Sequence, residues 1–182
     1  SKSLEATKTD MKIIENMWTY IKNALSELEG FKETFWAQIN GSFMDERVSA
    51  LVKELAKIRK EAQSYTSIVD QINNEITKKW KKLVPLIINL KYPYIKNRHW
   101  DSVREIIKSP DLVVDDNLKL RFFYEINLHE KSEEISEVSE RALNEDKMDK
   151  ALNIIKKIWN ENVFNVKPAF IAGDSTNVPI HI

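Results

Sequence analysis

Three histidines, His99, His129 and His181, are the residues of this 182-residue chain best suited by type to bind a metal or move protons. They lie far apart in sequence, and none belongs to a helical i, i+4 pair with an intervening glutamate, the spacing that sets two imidazoles on one zinc ion. Glu133, Glu137 and Glu140 share a helix face and could present paired acids, yet no apolar pattern around them would raise a carboxyl pKa. They read as a solvated face. Gly173-Asp174-Ser175-Thr176 is the nearest approach to a phosphate loop, but the second glycine and the lysine of a phosphate cradle are missing. No serine sits in a strained Gly-x-Ser-x-Gly turn, and there is no cysteine at all. The residues therefore predict no catalytic, metal or cofactor site in this chain.

Charge excludes a further class. Lysine plus arginine and aspartate plus glutamate number 28 each, so the positive excess needed to neutralise phosphates is absent and nucleic acid is not an expected partner. The basic run Lys78, Lys79, Lys81, Lys82 and the acidic cluster Glu133, Glu134, Glu137, Glu140 read as solvated helix faces. No stretch approaches about 18 apolar residues, so no membrane span is expected. Absence of cysteine suits a reducing compartment, and the Asn40-Gly41-Ser42 sequon reads as incidental. The start, Ser1-Lys2-Ser3-Leu4-Glu5, has no apolar signal core and no methionine, and is expected to belong to a fragment or processed chain.

The elements that must carry the chain are helices. Hydrophobic residues at 42% and charged residues at 31%, with three glycines and five prolines, favour long amphipathic helices over strands. Met11, Ile14, Trp18, Ile21, Leu25 and Leu28 form one stripe, predicting a helix from near Thr9-Asp10 to Gly30. Met44, Val48, Leu51, Leu55 and Ile58 form a second, with Asp45 near its start, and the aromatic run Phe31 to Trp36 lies between as a clamp. Val69, Ile72, Ile76, Trp80 and Leu83 predict a third helix from about Ser67 to Leu83, kinked or stopped by Pro85. Leu86-Ile87-Ile88-Asn89-Leu90 is apolar all round and should be deeply buried. Trp100, Val103, Ile106 and Ile107 mark a short helix ending before Pro110.

Asp111 to Asn117 reads as an acidic loop, and Leu118 to Leu128 as a short helix. Ser132 starts a further helix through Ile135, Val138 and Ala142; Asn144 to Lys147 interrupts the stripe, which resumes with Met148, Leu152, Ile155 and Trp159, as one bent helix or two abutting ones. Val163 to Val166 and Val178 to Ile182, flanking Gly173-Asp174, predict a C-terminal β-hairpin. The expected architecture is mainly α: an elongated multi-helix bundle with long antiparallel helices over 1–162 and a hairpin over 163–182. The five tryptophans, Trp18, Trp36, Trp80, Trp100 and Trp159, are expected to anchor helix against helix in the core.

Arg98-His99-Trp100, preceded by the leucine-rich run Leu86 to Leu90 and by Pro93, resembles a signature of dynein heavy chains. Leu118-Lys119-Leu120 and Asn127-Leu128-His129 follow in the family's order, and Ala142, Glu145, Leu152 and Trp159 match the pattern of its long helix. Upstream, Trp36-Ala37-Gln38-Ile39-Asn40 is similar to a Trp-x-x-Ile motif found particularly in axonemal heavy chains. Ser109 to Asn117 and Asn144-Glu145-Asp146 depart from the family. The resemblance, which covers nearly the whole chain, implies the N-terminal part of the linker: a lever that bends and straightens over a ring of six AAA+ modules, with ATP and Mg bound elsewhere in the parent heavy chain. It implies as partners that ring, the rest of the linker, intermediate or light chains or regulators, and the microtubule through the parent, in an axonemal or otherwise cytoskeletal setting. It also implies a structural role for Arg98, His99 and Trp100, with Arg98 pairing a carboxylate such as Glu145. A generic spectrin-like or tethering bundle is the competing expectation, and it should show internal repeats, which the sequence lacks.

Overall fold

A computed structural model describes residues 2–177, and these are overwhelmingly helical. Helix α1 spans Lys2–Lys32, α2 Gly41–Glu61, α3 Thr66–Glu75, α4 Lys81–Leu90, α5 Asn97–Ile106, α6 Leu120–Glu125 and α7 Ser132–Asn177. Short 3-10 turns occupy Trp36–Gln38, Gln63–Tyr65 and Leu128–Lys131, and a π turn, Ile76–Trp80, joins α3 to α4. The chain divides into two compact units, Ser1–Ser139 and Glu140–Ile182.

The first unit holds the core. Met17, Ile21, Ala24, Leu28 and Phe31 of α1 are buried together with Met44, Val48, Leu51 and Leu55 of α2 and Leu83, Val84, Leu86, Ile87 and Leu90 of α4. In α2 these belong to the expected stripe, whereas in α1 the buried row is turned from the expected one: of Met11, Ile14, Trp18, Ile21, Leu25 and Leu28 only Ile21 and Leu28 are buried. The leucine-rich run is as deeply buried as expected. Asn40 caps α2 by accepting a hydrogen bond from the Phe43 amide at 3.1 Å, and α7 begins at the expected Ser132.

Several expectations need correction. Helix α1 neither waits for Thr9 nor stops at Gly30: it starts at Lys2 and runs on through Gly30, because Phe31 one residue later is buried in the core and outweighs the roughly 0.5–1 kcal/mol that glycine costs in a helix. Pro85 does not end its helix. It lies inside α4, flanked by buried Val84 and Leu86, whose burial offsets the hydrogen bond that proline cannot make. At Asn144 to Lys147 the two expected alternatives resolve to a single helix rather than two abutting ones, since α7 runs through them.

The β-hairpin is a further correction. Val163 to Val166 lie within α7, and the described residues hold no strand, only one isolated antiparallel bridge between Phe35 and Lys119. A lone two-stranded hairpin is marginal in water, whereas extending an existing helix adds a hydrogen bond per residue with no new nucleus. The second arm, Val178 to Ile182 with His181, lies outside the described residues. Of the tryptophans, Trp80 and Trp100 are buried and Trp36 half-buried, but Trp18 and Trp159 are 49% and 69% exposed and do not serve the core.

Candidate functional site

The sequence motifs converge on one aromatic junction. After α1 the chain turns through Thr34, Phe35 and Trp36 and runs beside Leu118 to Leu120: the Trp36 amide donates to the Leu118 carbonyl at 2.6 Å, and the Leu120 amide donates to the Thr34 carbonyl at 3.0 Å. This two-bond clasp holds the connector in register and sets the Trp36 ring against Trp100 of α5, centroids 5.5 Å apart and planes at 77°. Phe123 of α6 closes the triangle, 5.4 Å from Trp36 and 6.4 Å from Trp100. Edge-to-face and tilted pairs at these separations are favourable beyond the area they bury.

Polar groups fix the triangle from outside. Lys91, at the end of α4, donates its ammonium to the Trp36 carbonyl, and burial lowers the pKa of this lysine. His99 is 1% exposed, and its Nδ1 accepts the backbone N–H of Lys96 at 2.9 Å, the reach-back half of a capping box at the start of α5. An Nδ1 that accepts an amide proton places the imidazole proton on Nε2. His99 thus sits at a helix start and Trp100 in the aromatic junction of the core. Arg98, beside them, is exposed.

A second aromatic group sits next to the first. Trp80 of the π turn lies 5.1 Å from Tyr124 and 6.2 Å from Phe31, while Lys79 and Lys32 place their ammonium groups 3.7 and 4.0 Å from the Tyr124 ring centroid. The Tyr124 hydroxyl donates to Glu75 at 2.7 Å, and burial together with that carboxylate raises its pKa. Around the rim, Arg121 of α6 pairs with Glu29 of α1 and with Glu33 just past its end, and Lys119 with Glu33 at 2.7 Å. These cations hold both carboxyls below the usual range, as Arg47 does for Glu27 through two hydrogen bonds of 2.6 and 2.9 Å. The sequence showed none of these ion pairs, since each joins residues far apart in the chain.

In the second unit, α7 presents a different surface. Ala142 is buried, but Met148, Leu152, Ile155 and Trp159 are 50–69% exposed, and Ile154 and Ile158 beside them 61% and 52%. Of the motif residues, Trp36 and Trp100 therefore come together in the first unit. Leu152 and Trp159 instead form an uncovered apolar face, and Glu145 shares their helix.

Nothing in this arrangement points to bond-making chemistry. A hollow of about 540 Å³ beside the start of α7 is lined by Lys78, Lys82, His129, Glu130, Lys131 and Glu133, but its cations and carboxylates offset one another. Burial, helped by Lys79, lowers the His129 pKa and so favours the neutral ring. Glu133, Glu137 and Glu140 are exposed, as a solvated face should be. Among the described residues no group of three or more histidines and carboxylates could hold a metal, and no helix is long and apolar enough to cross a membrane.

Comparison with known proteins gives the same direction. Residues 4–177 match the family described as dynein heavy chain, N-terminal region 2. Over 164 residues, 89% of the chain, the sequence is 26% identical to the dynein alpha chain of the flagellar outer arm of Chlamydomonas reinhardtii. It is 22% identical over 170 residues to human dynein axonemal heavy chain 17 and 23% identical over 170 residues to the ciliary dynein beta chain of Heliocidaris crassispina, with 92% of the chain covered in each case. The matched region is 4% of the length of each of these relatives.

Proposed function

This chain belongs to the dynein heavy chain family, within its N-terminal region 2, and from that premise we propose that it is the N-terminal part of a linker, a mechanical segment of a microtubule motor. It transmits the bending and straightening driven by ATP hydrolysis in AAA+ modules elsewhere in the parent chain. ATP and Mg bind those modules, so this segment contributes stiffness and contact surfaces. Its partners are the ring and the remainder of the linker, with intermediate or light chains and the microtubule reached through the parent. The relatives are axonemal, flagellar and ciliary dyneins, which favours an axonemal location.

The observation that carries this reading is the contrast between the two units. A tightly cored bundle with an aromatic junction resists deformation. The apolar face of α7, with Leu152, Ile155 and Trp159 uncovered, suits a helix that docks on further heavy-chain polypeptide.

The test is made in the parent heavy chain carrying both Trp36→Ala and Trp100→Ala. A lever loosened at its junction should leave ring ATPase within about twofold while microtubule gliding velocity falls several-fold. Unchanged gliding, with the junction shown to be loosened, would overturn the mechanical role. In the same protein, Trp159 should be protected from collisional quenchers.

A further inference from the structure

Helix α1 carries a second apolar row that its own bundle does not cover. Leu4, Met11, Trp18 and Leu25 recur every seven residues and are 61%, 65%, 49% and 45% exposed, while the buried stripe of α1 runs along Met17, Ile21, Ala24, Leu28 and Phe31 on a neighbouring face. Residues 2–12 are exposed on every face. A helical stretch that short has little stability of its own in water, and a seven-residue apolar row is the pattern by which one helix seats another.

The charges beside the row identify the occupant. Lys8, Glu15, Lys22 and Glu29 each follow an apolar residue of the row by four positions and alternate in sign. An antiparallel partner related by a two-fold axis brings this row against itself on one side of the seam. With the axis at Met11, Leu4 of each copy meets Trp18 of the other, Met11 meets Met11, and Lys8 meets Glu15 twice. A parallel, in-register pair would put the two charged rows on opposite sides of the seam and forgo those pairs. The register centred on Met11 is preferred over one shifted by a heptad for two reasons. It uses the stretch that has no tertiary cover, and it leaves Glu29 with Lys32 and Arg121, which already hold it.

We propose that α1 is a self-association surface: two copies of this chain pair antiparallel through Leu4, Met11 and Trp18, with Lys8 and Glu15 as reciprocal salt bridges. The seam is small, so the dimer is weak, with a dissociation constant on the order of 10–100 μM.

Sedimentation equilibrium of the chain up to about 500 μM tests this, with helicity checked by circular dichroism for each variant. Dimerisation should weaken at least tenfold in Met11→Glu, an exposed position whose substitution leaves the core alone. It should weaken in Lys8→Glu and recover when Glu15→Lys is added to it. A chain that stays monomeric, or a dimer indifferent to Met11→Glu and hence held by another surface such as α7, overturns the proposal. Because the chain has no cysteine, orientation is read by cross-linking. Leu4→Cys mixed with Trp18→Cys should form mixed disulfide dimers on oxidation, whereas Leu4→Cys cross-linking to itself as efficiently would overturn the antiparallel arrangement.

Discussion

Trp36 and Trp100 meet edge to face at 5.5 Å, although α2, α3 and α4 all lie between them in the chain. The contact joins a connector to a helix, so it closes a long excursion of the polypeptide and fixes where α5 begins. Truncating either ring to alanine should cost about 3 kcal/mol, with Trp36, the less buried, at the lower end. A double-mutant cycle by urea denaturation should return a coupling of about 0.5–1.5 kcal/mol. Additive effects would mean that the rings pack independently.

The His99 imidazole should matter for its acceptor. His99→Leu removes the group that holds the Lys96 amide and should cost about 1 kcal/mol, while His99→Gln, whose carbonyl can reach back in the same way, should retain much of it. Hydrogen exchange at the Lys96 amide is the direct reading: faster in the leucine variant, close to the parent in the glutamine variant.

Acid should find Glu27. Its carboxyl is held below its unfolded pKa by Arg47, so the stabilisation is fully present above the unfolded value of about 4.3 and is lost as pH falls through the folded one. Glu27→Gln should therefore lower stability at pH 7 and flatten the fall in stability below about pH 5. Denaturation midpoints from pH 7 to pH 3 measure this, and two parallel curves would remove Arg47 as the cause.

Gly41, at the start of α2, is a site of close approach. A Cβ there would run into Cγ1 of Ile88 on α4. Gly41→Ala should destabilise the bundle by about 1–3 kcal/mol despite the better helix propensity of alanine, and Ile88→Ala in the same chain should recover part of the loss. Thermal melts of the two variants decide it.

The removal of one hydroxyl probes the second aromatic group. Tyr124→Phe keeps the ring beneath Lys79 and Lys32 but deletes the bond to Glu75, and should cost about 1–2 kcal/mol by chemical denaturation.

Much of the fold was legible because a core-facing stripe is a local property. Met44, Val48, Leu51 and Leu55 announce α2 at three-four spacing, and Ser132 followed by Glu133 and Glu134 announces the start of α7. What the sequence concealed was how stripes are shared out. Trp18 and Ile21 belong to one periodic pattern, yet only Ile21 is buried, since the bundle covers an arc narrower than the whole apolar face. Gly30 reads as a stop and Pro85 as a kink or a stop because propensity acts on single residues, whereas Phe31, Val84 and Leu86 hold those helices through burial in the core. The aromatic junction was half visible. Trp36 and Trp100 stood out as motif residues, but Phe123 had no signature beyond being apolar. The Lys91 bond to the Trp36 carbonyl could not be foreseen from spacing at all.

The π turn at Ile76–Trp80, where the Lys81 amide reaches back to the Ile76 carbonyl, is a place where the helical run has one residue more than an even winding would use. Deleting a single residue between Thr66 and Glu75 would rotate every following side chain by about 100° and turn Leu83, Ile87 and Leu90 away from the core. Deleting Thr77 or Lys78 would instead let the run wind evenly with both flanks still facing inward. The surplus residue is thus a tolerance written into the helix: a spot where the run can lose one amino acid and keep the same interior.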